Sequence, residues 1–528
     1  MLRLMSGVAI IALAACVSPD PSPTPSPSPS PSSSPSPSAS PSRSPSSSPS
    51  PSKSPSSNPS PRPSAQAPQS AIPITWAPYT FIANDGTKVE AQKGSFEVPE
   101  NRSVPGSRKI RIGFVRLPST SPSPGDPIVY LAGGPGGTGV ASLQGPRFAL
   151  AQALRAQADV IAYDQRGTGL SSPTPVCLAN PSFDISQPIT RANLAAFERD
   201  RLTKCFDFWK SKGIDIDGYT TVQNADDIED LRKTLGARKL NLWGISYGSH
   251  LGLTILKYHG GSVNKAVLSG IEGLDQTVKR PAMTDKMFAH VQEIIDADPA
   301  AKAAYPDLAG MIRRVTARLN AKPATVTFTP QGADKPVTLT FDGYAVQMLT
   351  AQSIADPPAI AQIPRAWNAG DKGNYELAAR NLYKLSGQLA AFRGMPEAMD
   401  LASGATAARL ALVEKEAKTS LLSDTLNFPM PHVMGIRPGI DLGDSFRAPF
   451  TSSVPAMFIS ATLDGRTYPD EAAEEIRGFS NKHWLIVENG GHNIYEADKR
   501  VADAVVAFFK GEQVPDRIVM APPKIALP

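Results

Sequence analysis

One short stretch limits this chain more than any other. An apolar run, Leu240 to Trp243, leads into Gly244-Ile245-Ser246-Tyr247-Gly248, and a segment of helical character follows from Leu251 to His259. A serine at so abrupt a strand-to-helix reversal sits on a strained backbone, so the positions two before and two after it must lack a Cβ. Gly244 and Gly248 meet that need. The hydroxyl is then presented as a nucleophile, but it is a poor one at neutral pH unless a base lies within reach and a carboxylate orients that base.

The chain holds six histidines, few enough to sort by position. His250 and His259 ride on the helix after the turn, and His290 and His432 fall in a region of different rhythm. His483 opens the apolar strand Trp484 to Val487, whereas His492 lies in the loop Glu488-Asn489-Gly490-Gly491-His492 just beyond that strand. The active site of an open α/β sheet gathers at strand carboxyl ends, which selects His492 as the base. Asp464 follows the strand Ala456 to Ile459, has Gly465 beside it and lies between Ser246 and His492 in the order this chemistry uses. Asp470 is the alternative acid, but it begins the next helix and reads as an N-terminal charge.

A tetrahedral intermediate needs backbone N–H groups aimed at its oxyanion. Tyr247 supplies one, and Gly134 in Leu131-Ala132-Gly133-Gly134-Pro135-Gly136-Gly137 is expected to supply the other. The same glycine cluster could be a plain turn or a phosphate cradle, although the Lys-Ser/Thr ending of a phosphate loop is missing.

Short apolar runs bounded by turns, among them Ile110 to Leu117, Pro127 to Leu131, Val160 to Tyr163, Leu240 to Trp243 and Lys265 to Leu268, predict buried strands. Helix-like stretches such as Ala225 to Leu235 separate several of them, so the sheet should be mainly parallel, in an α/β fold with helices on its faces. The rhythm breaks after about Gly273. Helix formers then dominate from Ala282 to about Pro431, interrupted by a hairpin between Ala324 and Phe341, and the rhythm returns at Pro455 to close with a helix from Val501 to Phe509. A core in two pieces, 71–273 and 441–528, with a mainly helical cap at 274–440, is the expected organisation.

The N-terminal region is of another kind. Residues 1–16 carry Arg3 and an apolar run from Val8 to Ala15, suited to an export signal and too short to span a bilayer. The run ends Leu13-Ala14-Ala15-Cys16, which resembles the lipobox of bacterial lipoproteins and implies cleavage before Cys16 and lipidation of its sulfur. An ordinary signal peptide with an incidental cysteine is the plainer reading. Residues 17–70 are close to a Pro-Ser alternation, expected to be a disordered tether or stalk. Together these place the protein in the cell envelope, exported and held to a membrane through Cys16.

A net charge of +5 over 528 residues with no dense basic run offers nothing to nucleic acid. Cys177 and Cys205 remain once Cys16 is set aside. They can pair in an oxidising compartment, a closure worth roughly 3 to 4 kcal/mol in the chain-entropy model, or stand as two buried thiols. No His-Cys cluster suggests a metal, and the chemistry calls for no cofactor.

Four segments resemble the prolyl iminopeptidase and tripeptidyl aminopeptidase group of α/β-hydrolases: Gly133 to Gly137, Asp164-Gln165-Arg166-Gly167-Thr168-Gly169-Leu170-Ser171, the turn around Ser246, and Asp464 with Gly491-His492. Gly94-Ser95-Phe96-Glu97-Val98-Pro99-Glu100-Asn101-Arg102 looks like the group's opening strand, and the region of Cys177 and Cys205 resembles its secreted members. Ala132 departs from the pattern, since many relatives carry His or Asn there. The resemblance implies release of N-terminal residues, proline or short peptides, through a Ser-His-Asp acyl-enzyme. It also implies acidic side chains near the cap that hold the substrate amine, for which Glu272 is the candidate. A carboxylesterase acting on small acyl esters would use the same triad without an amine site. A non-catalytic tethered binding module would require a broken one.

Overall fold

The computed structural model describes residues 72–178, 182–388 and 394–528. The expected export signal, the lipidation site Cys16 and the Pro/Ser-rich tether lie outside the described residues.

Twelve strands are described: β1 (Thr75–Ile82), β2 (Lys88–Pro99), β3 (Lys109–Leu117), β4 (Ile128–Leu131), β5 (Val160–Asp164), β6 (Leu240–Ile245), β7 (Val263–Ser269), β8 (Ala324–Phe328), β9 (Val337–Phe341), β10 (Ala456–Ala461), β11 (Lys482–Glu488) and β12 (Arg517–Val519). Ten form one sheet in the order β1-β2-β3-β5-β4-β6-β7-β10-β11-β12. The pairings β1/β2, β2/β3 and β3/β5 are antiparallel. Every pairing from β5 to β12 is parallel.

This is the mainly parallel, helix-flanked sheet that the strand-helix rhythm predicts. Its strands alternate sides as the pleat requires. Val129 and Leu131 join the core on one face while Ile128 and Tyr130 join the core on the other. Burial on both faces explains why these strands read as unbroken apolar runs. The closing helix, Lys499–Lys510, buries Val501, Ala504 and Val505 against the second face and ends at Gly511 in the left-handed region.

Between β7 and β10 lies a run of helices with its own apolar core, in which Met283, Met287, Phe288, Val291 and Ile295 of helix Pro281–Ala297 meet Ile312, Val315 and Trp367. The hairpin β8/β9 buries Phe328, Leu339 and Phe341 on one side and pairs Thr325 with Thr340 and Thr327 with Thr338 across the other. One helix of this insertion, Met395–Ser403, belongs to the sheet's own core: Met395, Ala398, Met399 and Ala402 are fully buried in it. It descends onto the carboxyl ends of the strands.

The segment after β2 is locked by charge. Arg166 donates from Nε and Nη2 to the two oxygens of Asp227 at 2.7 Å each, and Arg102 reaches the same carboxylate at 2.6 Å. Glu100 receives Arg108 and, at 3.0 Å, the Tyr219 hydroxyl. Cys177 and Cys205 form a disulfide with Cα atoms 5.5 Å apart, tying the loop after β5 to helix Arg191–Ser211 across 28 positions.

Candidate active site

Ser246 stands between β6 and helix Tyr247–His259 with φ 57° and ψ −127°, one of three non-glycine residues at positive φ among the described residues. Strain of this kind persists only where the surroundings over-determine it. Here they do: the Ser246 amide donates to the Ser269 carbonyl at 3.0 Å, and a Cβ on Gly244 would stand 2.6 Å from the Gly248 carbonyl oxygen. The glycines flanking the serine are required by contact, as the spacing predicted.

His492 and Asp464 meet. His492 Nδ1 lies 2.9 Å from Asp464 Oδ2, with Asp464 buried and the imidazole half-buried. The Asp464 carboxylate also accepts from the Thr467 hydroxyl at 2.6 Å and from the amides of Arg466 and Thr467 at 2.8 and 3.0 Å. Burial alone would raise this carboxyl, but His492 and these donors outweigh burial and hold it below the usual carboxylate range. The imidazole reaches the serine's side of the sheet, since a Cβ on Gly270, next to Ser269, would lie 3.1 Å from His492 Cε1.

The other histidines are engaged elsewhere. His250 is fully buried, with Nδ1 at 3.1 Å from the Gly273 carbonyl and Nε2 at 2.9 Å from Ser403 Oγ. His259 pairs with Asp226, His290 with Glu293 and His432 with Asp424, while His483 meets the Pro515 carbonyl. Asp470, the alternative acid, is exposed at the start of helix Pro469–Glu475 and pairs with Lys286.

The glycine loop after β4 abuts the serine: a Cβ on Gly133 would lie 3.1 Å from Ser246 Cβ and 3.7 Å from its Oγ. Gly134 follows with φ 127°, a conformation closed to other residues. This loop is braced by the Asp164-Gln165 pair. Gln165 Nε2 donates to the Ala132 carbonyl at 2.8 Å and Asn224 donates to Gln165 Oε1 at 2.9 Å. Asp164 accepts from the amides of Leu170 and Val140, and burial pushes its carboxyl up to about 6 against those bonds. Sequence reasoning had marked Asp164 to Ser171 only by resemblance. Its physical role, bracing of the glycine loop, needs the fold to be seen.

Glu272 lies just past β7, buried, with its carboxylate 3.0 Å from Lys279 Nζ and its amide donating to Ser249 Oγ. It does not stand alone. Burial pushes the Asp400 carboxyl well up, and the nearby charges of Glu272 and Glu397 push it further, with Lys279 offsetting part of this. Asp400 follows Met399, whose sulfur accepts from the Tyr247 hydroxyl at 2.6 Å, so the acidic group borders the turn that holds Ser246. Asp400 and Glu397 were missed from sequence because an acidic pair on a helix reads as a solvated face. Among the described residues, no group of three or more His, Cys, Asp or Glu side chains could hold a metal ion.

Residues 126–498 match a family model described as the alpha/beta hydrolase fold, and the chain belongs to that family. Its relatives include serine protease Hip1 of Mycobacterium tuberculosis strain H37Rv, 26% identical over 217 residues that cover 38% of this chain and 40% of that protein. The tripeptidyl aminopeptidase of Streptomyces lividans is 30% identical over 176 residues, covering 30% of this chain and 32% of the relative. A probable proline iminopeptidase of Streptomyces coelicolor is 31% identical over 147 residues, covering 28% and 33%. The chain thus spans between about a third and two fifths of the length of the relatives it matches.

Proposed function

We propose that this α/β hydrolase is an exported serine aminopeptidase that releases N-terminal residues, proline or short peptides, from peptide substrates. Ser246 Oγ attacks the scissile carbonyl and its proton passes to His492, whose other nitrogen is held by Asp464. The amides of Tyr247 and Gly134 take the oxyanion. Collapse expels the amine, protonated by His492, and leaves an acyl-enzyme that water then cleaves with His492 as base.

The observation that carries the aminopeptidase reading over a general esterase is the acidic group beside the serine turn. Glu272 pairs with Lys279, and the Asp400 carboxyl beside them, pushed up by burial and by the charge of Glu272, would regain its charge next to an added cation. The free α-ammonium of a peptide is such a cation. The names of the relatives agree with this chemistry. The Cys177–Cys205 disulfide suits an oxidising compartment, and lipidation at Cys16 would hold the enzyme to a membrane of the cell envelope.

The test is hydrolysis of aminoacyl and tripeptidyl chromogenic amides, free and N-acetylated, beside a simple acyl ester, by wild type and Ser246→Ala. Turnover of free-amine amides alone, lost in the variant, is the expected result. Equal turnover of the acetylated amides, or turnover of the ester only, would replace the aminopeptidase with an esterase.

A further inference from the structure

The insertion does more than cover the sheet. Helix Gly343–Gln352 ends above the carboxyl edge of β10 and β11, and the next helix, Pro357–Ile360, begins only after residues 353–356 have crossed both loops that carry the acid and the base. The Gly465 amide, next to Asp464, donates to the Ile354 carbonyl at 2.9 Å. The His492 amide donates to the Ala355 carbonyl at 2.7 Å. Asp356 then accepts twice from the residue after the base: from the Asn493 amide at 2.9 Å and from Asn493 Nδ2 at 2.6 Å.

Two features separate this from ordinary packing. Asp356 occupies the N-cap position of helix Pro357–Ile360, where an aspartate would normally accept from its own helix, yet it makes no such bond and turns both oxygens to Asn493. The contact is also close enough to dictate sequence on the other side. A Cβ on Gly465 would lie 2.5 Å from the Ile354 carbonyl oxygen, and one on Gly491 would lie 2.5 Å from Pro357 Cδ and 2.7 Å from Asp356 Oδ1. The glycines beside Asp464 and His492 are therefore spaces cleared for the strap.

The restraint continues below the base. Asn493 Oδ1 accepts from Arg147 at 2.9 Å, and Arg147 donates to the Tyr130 hydroxyl at 2.7 Å and pairs with Glu496 at 3.2 Å. Tyr130 belongs to β4, whose end carries the glycine loop beside Ser246. The base loop is thus held from above by the insertion and from below by the strand that leads to the oxyanion side.

We propose that residues 354–356 are a clamp that sets the position of His492 relative to Asp464 and Ser246, with Asp356 as a positioning residue that acts through Asn493. This rests on the reading of Ser246, His492 and Asp464 as a triad. Displacement of a reacting group by about 1 Å can lower rates by roughly a hundredfold, so a loosened base loop should slow serine activation without weakening substrate binding.

The test uses the full chain and a fluorophosphonate probe, which labels an activated serine whatever the true substrate. Ser246→Ala must abolish labelling; if it does not, the triad reading fails, independently of the clamp. Asp356→Ala is expected to label about ten- to a hundredfold more slowly, to the same final extent, and Asn493→Ala likewise. The double variant should be no slower than the slower single one, because both changes break the same link.

With a chromogenic substrate, kcat should fall by the same factor while KM stays within about twofold. Asp356→Asn keeps one acceptor and the side-chain shape. Its labelling rate should fall between those of wild type and the alanine variant, and it decides the matter if the alanine variant does not fold. Labelling within twofold of wild type in a folded Asp356 variant, or fully additive effects of the two alanine changes, overturns the proposal.

Discussion

The position of a Cβ on Gly248 is already taken: it would stand 2.0 Å from the carbonyl oxygen of Leu131, at the end of the neighbouring strand β4. The helix that follows Ser246 is thereby pressed against the strand that feeds the glycine loop, and the turn at Ser246 and that loop are joined by one contact.

Gly248→Ala should therefore cost more than an ordinary overpacking. The contact is with backbone, which gives way less readily than a side chain, and we expect a loss of stability of about 3 kcal/mol, at the upper end of the usual range, together with most of the activity. Urea denaturation and fluorophosphonate labelling check both. A stable, fully labelled variant would show that the helix can shift without moving Ser246.

Asp464→Asn keeps the shape of the side chain and an oxygen for the Thr467 donors, but it removes the charge that holds His492. A fall in kcat of roughly 10³- to 10⁴-fold with a near-native circular dichroism spectrum is expected, by analogy with the serine-protease triad. Asp470→Asn, at an exposed helix start, should leave kcat within twofold. Steady-state kinetics on one amide substrate separates the two carboxylates.

Arg166 and Asp227 are both fully buried, and Arg102 shares the aspartate. Arg166→Leu leaves Asp227 with only its half-buried partner Arg102, and a loss of about 3 to 5 kcal/mol is expected, as for other broken buried pairs. The double change Arg166→Leu with Asp227→Asn should recover part of that loss. Chemical denaturation of the three variants measures it.

Burial pushes the Glu475 carboxyl up to about 7, and Asp164 to about 6, for the same reason. Both exceed the unfolded carboxylate range, so between about pH 4.5 and 7 the folded chain keeps protons that the unfolded chain releases. The Glu475 contribution to stability is complete below about pH 4.5 and is lost as pH rises through about 7, and that of Asp164 is complete only below 3.8 and is lost by about pH 6. Glu475→Gln stays neutral throughout and should flatten that decline by roughly 1 to 2 kcal/mol, a value reduced for the solvent that reaches this half-buried group. Thermal melting of wild type and variant from pH 4.5 to 8 reads the difference; parallel curves would contradict it.

No single residue type made the fold and the three central site residues legible in the chain. Strands buried on both faces must be apolar throughout, so β4, β5, β6 and β10 stood out as short runs between turns, and the turn at Ser246 betrayed itself through glycines that its geometry demands. Asp464 and His492 could be selected because each follows a strand, where an open sheet gathers its chemistry. Those relationships are local, or are counted along the chain.

What only the tertiary structure decided are relationships between segments with no common pattern. Asp356 before two prolines reads as the start of a helix, and nothing in that stretch reports that its carboxylate crosses to Asn493, 137 positions away. Glu397 and Asp400 read as a polar helix face until the fold turns that helix onto the strand ends, beside Glu272 and Lys279. The sequence by itself determined the sheet, the strained turn and the order of the proposed triad residues along the chain, because backbone sterics and burial act over a few residues. Which distant polar groups meet was decided by packing, because a charge or hydrogen-bond partner need only be near in space.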